Sequence, residues 1–468
     1  MKRRDFFQLS AAAVGSFAIS DSLALMHKLK AREKADSVES LLGPIKPVKD
    51  QATGLELLLL PDGFSYTSFG WSKDMMDDGV KTPGAHDGMG VVATNGSEIT
   101  LIRNHEVGGA RAAFGSDSMT FDSMAGGGCT TLVFDVDAGE LKKSHSAISG
   151  TVRNCAGGVT PWGTWLTCEE TVDGLEKEDE KTGYQKEHGW IFEVPADGSA
   201  TAKPIKEMGR FVHEAVAVDP DTGYVYETED RGFAGLYRFI PKVKGKLSDG
   251  GKLQMLKVPG NQNLTGSSNG KRVFENIEWV SIDEPTLAHS PGTTNSIGCF
   301  AQGVKNGGTA FSRLEGCWYG GGLIYFSATS GGEAGKGQIW SYDPKENVLN
   351  LIYESPGVEV LNYPDNIAIS PNGGIAICED GSTDEITVNG KKVLNYPRLH
   401  GLTPDGELFT LSRNNCVLKG ERNGFSGDYR KREWAGATFS PDGKWLFVNM
   451  QSPGISLAIT GPWDKVGF

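Results

Sequence analysis

An all-β, six-bladed β-propeller is the fold that this 468-residue sequence predicts. Three observations predict it. Six stretches can be laid over one another, starting at Asp87, Cys155, Glu214, Glu315, Asp365 and Ala435. Each runs through small and apolar residues to a turn ending at glycine, then through a second apolar run that stops at polar residues; a hairpin repeat of this kind is the signature of a propeller. The 63 glycines, spread among strand-like runs, fit many tight turns rather than one disordered tract.

The elements follow in chain order. Asn95-Gly96, Asp221-Thr222-Gly223, Pro371-Asn372-Gly373 and Pro441-Asp442-Gly443 mark the turns of inner hairpins. Thr131–Asp135, Gly189–Val194 and Gln338–Tyr342 read as third strands. Asp197-Gly198, Asp343-Pro344 and Pro404-Asp405-Gly406 read as turns between outer strands. A minimal blade needs about 40–45 residues, and the spacing here exceeds that, so long inter-blade loops are expected. The largest excursion covers much of Pro241–Ser296, a length typical of functional lids. Few residues follow Gln451. The sixth blade therefore needs its outer strand from the N-terminal side, and Leu55–Leu60 is the expected donor, closing the ring and removing an exposed edge.

Ahead of the propeller, Lys2-Arg3-Arg4-Asp5-Phe6-Phe7 and the weakly apolar Leu9–Ile19 run resemble a twin-arginine export signal. A Lys/Glu-rich helical stretch, Met26–Leu42, follows. The expected organisation is a signal and linker over residues 1–45 and a single catalytic propeller over residues 46–468. The product is expected to be a periplasmic or secreted monomer that meets the twin-arginine export machinery. No run reaches the ~18 apolar residues of a permanent membrane span. The net charge of −13 argues against a nucleic-acid surface and suits cations. The seven cysteines are an odd number, so at least one is unpaired within the chain.

In a propeller the first strand of every blade lines the central channel. The repeat therefore brings Asp87, Cys155, Glu214, Glu315 and Asp365 to one place, and buried carboxylates with a thiolate do not converge without cations. Carboxylates suit hard cations such as Ca²⁺, whereas the thiolate suits a transition metal. A second ring lies where the second strands end: Glu106, Glu169 or Glu170, Glu229 or Asp230, and Glu379 or Asp380. Neighbouring strand residues face opposite ways, so one of each pair points inward. Cys168 and Cys378 at matching positions read as packing. Arg103, Arg153, Arg210, Arg231 and Arg313 flank the strands. Arg313, two residues before Glu315, shares its face and is suited to a bidentate anion, phosphate first. Asn154 could coordinate or hydrogen-bond there. His86, His105 and His213 read as supporting or packing residues. The sequence contains no phosphate-cradling P-loop, Gly-x-Ser-x-Gly elbow or His-Glu-x-x-His.

The stretch Arg153-Asn154-Cys155-Ala-Gly-Gly-Val, continuing through Trp162 and Trp165 to Cys168-Glu169-Glu170, resembles the PhoX-type alkaline phosphatases. So do the segments around His213-Glu214, Phe311–Gly316 and Pro364-Asp365-Asn366. The resemblance implies an exported propeller hydrolysing small phosphate monoesters at two Fe³⁺ and two or three Ca²⁺ ions around a bridging oxo group. It implies Cys155 as thiolate ligand of the iron pair, with Glu214 and Glu315 completing iron ligation. Asp365, Glu170 and Asp230 become calcium or bridging ligands, and Asp87 joins them from the column. Arg313 holds the phosphate, with Asn154 beside it, and Arg313, Cys155 and Glu315 form the catalytic set. The chain looks shorter than the best-known members, which bears on the pocket walls. Two other readings fit a propeller: a calcium-only hydrolase (lactonase or phytase), which does not need Cys155, and a noncatalytic exported metal-binding protein.

Overall fold

The computed structural model describes residues 41–177, 180–268, 270–291, 293–380, 384–388 and 391–468. The twin-arginine segment, and all but the last two residues of the Met26–Leu42 stretch, lie outside the described residues. Every inner hairpin of the repeat forms, each opening a separate antiparallel sheet. The pairs are His86–Asn95 with Glu98–His105, Asn154–Val159 with Thr164–Glu169, His213–Val218 with Val225–Glu229, Leu314–Gly320 with Leu323–Ala328, Pro364–Ile369 with Ile375–Glu379, and Trp434–Phe439 with Trp445–Met450. Each inner strand packs on the inner strand of the next blade, and the sixth packs on the first. The three third strands fall at Gly127–Asp135, Ile191–Pro195 and Gln338–Asp343. Among the described residues a single α-helix, Gly298–Lys305, stands beside blade three.

Apolar packing lies between blades. Ile102, Trp165 and Phe192 join blades one and two. Leu166, Val216 and Tyr237 join two and three. Phe326 and Trp340 meet Tyr226 between three and four, and Tyr353 meets Ile377 between four and five. Trp434 and Leu399 join five and six, and Phe134 and Phe447 join six and one. Cys168 and Cys378 are fully buried in two of these seams, as the packing reading expects. All seven cysteines are free.

Two expectations are corrected. The sixth blade is completed by Ser65–Phe69, which pairs with Ile455–Thr460; the Leu58–Leu60 strand instead pairs with Leu408–Asn414 and extends blade five. Leu58 and Leu60 share one face and are fully buried in the blade five–six seam, while Leu59 between them is half-buried. The half-polar Ser65–Phe69 run is made strand-like by Tyr66 and Phe69, both buried, so closure does come from the N-terminal side. The Pro241–Ser296 excursion is also more regular than a lid. Gly251–Lys257 and Glu278–Ile282 widen blade three to five strands, and Val273–Phe274 pairs with blade four.

The axis is narrow because small residues follow the column: Gly88, Ala156, Ala215, Gly316 and Gly436, with Asn366 the largest member. A Cβ on Gly316 would lie 2.5 Å from the Asp365 carbonyl oxygen and 2.7 Å from the Ile367 nitrogen. Backbone cannot yield as a flexible side chain does. Gly316→Ala is therefore expected to lower stability by about 1–3 kcal/mol, read as an earlier thermal melt with the sheet content kept.

Candidate metal centre

Each inner hairpin carries a register shift close to its column residue. In blades one to five two residues oppose one: Asp87-Gly88 lie between the His86 and Met89 pairings, and Cys155, Glu214, Glu315 and Asp365 occupy the same place in their blades. A bulge re-aims a side chain that would otherwise stay in the pleat. In blade six the shift falls after Ala435, one residue later, so Ala435 stays in regular pairing. The residue opposite the bulge often fixes the column residue of the following blade. Asn104 donates to the Cys155 carbonyl (3.2 Å), Thr228 to that of Glu315 (2.5 Å) and Ser327 to that of Asp365 (2.9 Å). From blade six, Asn449 donates to the Asp87 carbonyl (2.6 Å).

Two residues before each column residue lies a recurrent slot: Ala85, Arg153, Val212, Arg313, Tyr363 and Glu433. Its carbonyl accepts a hydrogen bond from the outgoing end of the second strand in every blade. The donors are the amides of Glu106, Glu170, Asp230, Thr329, Asp380 and Gln451. Ala85, Arg153, Arg313 and Tyr363 hold this slot at φ between 46° and 56°, a region non-glycine residues seldom enter.

These positions bring nine carboxyl groups and one thiol together: Asp87, Glu106, Cys155, Glu170, Glu214, Asp230, Glu315, Asp365, Asp380 and Glu433. Donor atoms of Glu106, Cys155 and Glu170 all lie within 4.8 Å of one another, as do those of Asp87, Glu106 and Glu433. Glu214 touches Cys155, Glu315 touches Asp365, Glu170 touches Asp230 and Glu433 touches Asp380 through side-chain hydrogen bonds. Two guanidinium groups oppose them. Arg313 donates through Nε and Nη2 to the two Asp230 oxygens (2.9 and 3.1 Å), through Nη2 to Glu315, and through Nη1 toward Asp380 (3.4 Å). Arg153 bridges Glu170 and Glu106. On the channel floor Asn366 donates to Asp365 (2.7 Å) and toward Glu214 (3.4 Å), while its oxygen accepts the Gly436 amide (2.6 Å).

The electrostatics follow from crowding. Burial, then Glu106 and Glu433, hold the Asp87 carboxyl well above the usual range. Burial, then Asp365, does the same to Glu214 and to Glu315, and burial lifts Asp365 to about 7. The Cys155 thiol is pushed well above its ordinary value by burial and by the neighbouring Asp87 and Glu214. Without cations these acids must share protons. The residues fit a metal cluster. Asp87 Oδ1 is buried with no hydrogen-bond partner, and the donor set combines many hard oxygens with a single sulfur.

The strand alternation resolves the paired acids. Glu169 turns into blade two against His188 (2.6 Å) and the amides of Val152 and Gly189, while Glu170 faces the channel. Glu229 accepts from Tyr237 (2.8 Å) and the Gly235 amide, leaving Asp230 on Arg313. Glu379 is taken by Arg398 and His400, leaving Asp380. Asn154 is a correction: it is fully buried, with Nδ2 donating to Thr167 (2.8 Å) and Oδ1 accepting from Thr151, so its amide is used inside blade two and not at the channel. His86, His105 and His213 are buried and bonded to the carbonyls of Pro83, Gly84 and Gly209. Arg103 bonds Gly70 and Ser456, Arg210 bonds Glu187, and Arg231 bonds Ser296, so of the five flanking arginines only Arg153 and Arg313 reach the acids. Glu433 escaped the sequence reading because the alignment began at the column. Its signal is the slot it shares with Arg153 and Arg313.

A family model described as alkaline phosphatase PhoX matches residues 41–454. Among solved structures, the fold is similar to that of Pseudomonas fluorescens PhoX in complex with vanadate, a transition state analogue. The two are 17% identical with a TM-score of 0.60, over 90% of this chain and 98% of that one. A gluconolactonase from Xanthomonas campestris, XC5397, aligns at 11% identity and a TM-score of 0.41, over 90% of this chain and 98% of that one. No curated protein matches by sequence.

Proposed function

This chain belongs to the alkaline phosphatase PhoX family, and from that premise we propose that it hydrolyses phosphate monoesters in the axial funnel, at a cluster of two iron and two or three calcium ions. The observation that carries the reading is the convergence of nine carboxyl groups and one thiol on two arginines, with Asp87 Oδ1 left unpartnered. Cys155, Glu214 and Glu315 would hold the iron pair. Asp87, Glu106, Glu170, Asp230, Asp365, Asp380 and Glu433 would hold calcium or bridge. When bound, the cations would offset charge on the phosphoryl oxygens and acidify water held beside them.

The chain's own residues do the rest. Cys155 is no free nucleophile, since burial and the neighbouring Asp87 and Glu214 hold its thiol well above the usual range; as a thiolate it would serve as a cation ligand. Asp230 grips Arg313 through two parallel hydrogen bonds, fixing the guanidinium plane. Nη1 and the second hydrogen of Nη2, now spent on Asp380 and Glu315, would be left to the phosphoryl oxygens if those carboxylates held cations, with the grip of Asp230 unchanged. Arg153, with 44% of its side chain exposed, flanks the opposite side. Asn366 and the small residues around it close the floor, so ester and water enter from the acidic mouth. Residues 1–45 would direct export by the twin-arginine route to the periplasm or beyond, ahead of a single-domain monomer. Among the described residues no helix is long and apolar enough to cross a membrane.

Elemental analysis of the exported protein, paired with an aryl-phosphate assay, tests the reading. Iron, calcium and phosphate release together support it. Calcium without iron returns the calcium-only hydrolase, and metal-loaded protein with no turnover returns the binding protein. Arg313→Ala is expected to raise the KM for ester and the inhibition constant for phosphate about tenfold to a hundredfold, as loss of charged hydrogen bonds worth about 1.5–3 kcal/mol implies, with metal content kept. Unchanged phosphate inhibition removes the role given to Arg313.

A further inference from the structure

An aromatic residue stands in the segments that adjoin Arg313 in the neighbouring blades: Phe233 in the loop leaving blade three and Tyr363 at the entry to blade five. On the blade-three side, the loop that leaves Asp230 is stitched to the strand entering blade four. The Arg313 amide donates to the Arg231 carbonyl (2.8 Å), and Ala234 and Phe311 exchange both backbone hydrogen bonds (3.0 and 2.9 Å). Three residue steps on one side of this stitch face two on the other, so the loop bulges at Gly232-Phe233. A Cβ on Gly232 would meet nothing within 4 Å. Phe233 is 58% exposed there, three residues from the carboxylate that grips Arg313. With most of its ring in water, Phe233 is not committed to packing and is available to a ligand.

On the blade-five side, Tyr363 fills the slot that holds Arg313 in blade four and Arg153 in blade two. It does so at φ 56°, a strained conformation for a bulky residue. Its carbonyl accepts the amide of Asp380, the third acid on Arg313 (3.0 Å). Lys336 Nζ lies 4.4 Å from its ring centroid, holding one face.

We propose that Phe233 and Tyr363 form an aromatic clamp at the mouth that selects esters whose leaving group carries a planar aromatic ring. This rests on the reading that Arg313 holds the phosphoryl group, which leaves the organic part of the ester directed between the two rings. Aryl phosphates and nucleoside monophosphates share this chemistry.

Metal-loaded wild type, Phe233→Ala, Phe233→Trp and Tyr363→Asn are compared on phenyl phosphate, adenosine monophosphate and glycerol phosphate. Asparagine is chosen because it tolerates the left-handed region. The kcat/KM of each aromatic ester is divided by that of glycerol phosphate. Comparing this ratio between variants cancels intrinsic leaving-group reactivity. The ratio is expected to fall about three- to tenfold in Phe233→Ala and in Tyr363→Asn and to recover in Phe233→Trp, with phosphate inhibition shifted less than about twofold. A fall confined to phenyl phosphate names aryl esters as the class; a fall confined to the nucleotide names nucleotides. Equal ratios in all variants overturn the clamp. Titration with phenylphosphonate against methylphosphonate reads the same preference without turnover. A wild type that binds phenylphosphonate selectively yet hydrolyses nothing refutes the phosphatase reading and leaves the clamp standing.

Discussion

Replacing Cys155 with serine is expected to lower ester turnover by at least about 10²–10³-fold and to remove iron while calcium remains. Sulfur is the one soft donor in a ring otherwise made of oxygen, so the substitution discriminates between metals instead of merely weakening the site. The argument does not depend on Cys155 attacking phosphorus. The half-buried thiol lies among carboxyls that keep its proton on, and a cation would be needed to make the thiolate favourable there. Elemental analysis and an aryl-phosphate assay on one preparation check both halves. Activity retained with iron lost would assign the chemistry to calcium. Activity and iron both retained would return Cys155 to packing.

Stripping the cations is expected to give a protein whose stability falls as pH rises. The sign follows from the acids. Asp87, Glu214 and Glu315 are held well above their ordinary range in the metal-free fold, and Asp365 stands at about 7. The same groups ionise near 4 in the unfolded chain. Between those values the folded state binds more protons, so unfolding becomes easier as pH climbs. The chelated protein should be most stable below the unfolded values and should lose stability through neutral pH, its melting point dropping by more than about 5 °C between pH 5 and pH 8. The metal-loaded protein should not follow, because its cations bind the ionised carboxylates and stabilise the fold by mass action. Melts with and without chelator across that range decide it. Parallel curves would mean that the acids are not the metal ligands.

The hairpins were legible because turn chemistry and apolar runs are local. Asn95-Gly96 and Pro441-Asp442-Gly443 announce themselves whatever surrounds them. The column was legible for the same reason, since each acid stands at a fixed place in a local repeat. What escaped depends on register. Glu170 and Asp230 face the channel because Glu169 and Glu229 find partners inside their blades, namely His188 and Tyr237. Neither partner can be chosen from spacing. Glu433 supplies the sixth blade's acid from two residues before Ala435, where the bulge falls one residue later than elsewhere. Asn154 looked like a channel residue beside Cys155, yet alternation sends its amide the other way. Leu58–Leu60 was the more apolar choice for closure, but the choice between two adjacent segments was made by which sheet each could reach.

The pairing of Ser65–Phe69 with Ile455–Thr460 has a consequence for synthesis. Tyr66 meets Ile459, nearly the whole chain apart. A nascent chain leaving the ribosome holds Ser65–Phe69 long before the mate exists, and contacts of such high sequence separation are slow to form. Until then the ring is open at blade six: its inner hairpin, with the Asn449 amide that fixes the Asp87 carbonyl, has been made, but nothing yet joins it to Ser65–Phe69. A chain cut short of residue 455 would hold all nine acids and the thiol, yet blade six would lack the strand that ties Trp445–Met450 to Ser65–Phe69, and the ring would stay open.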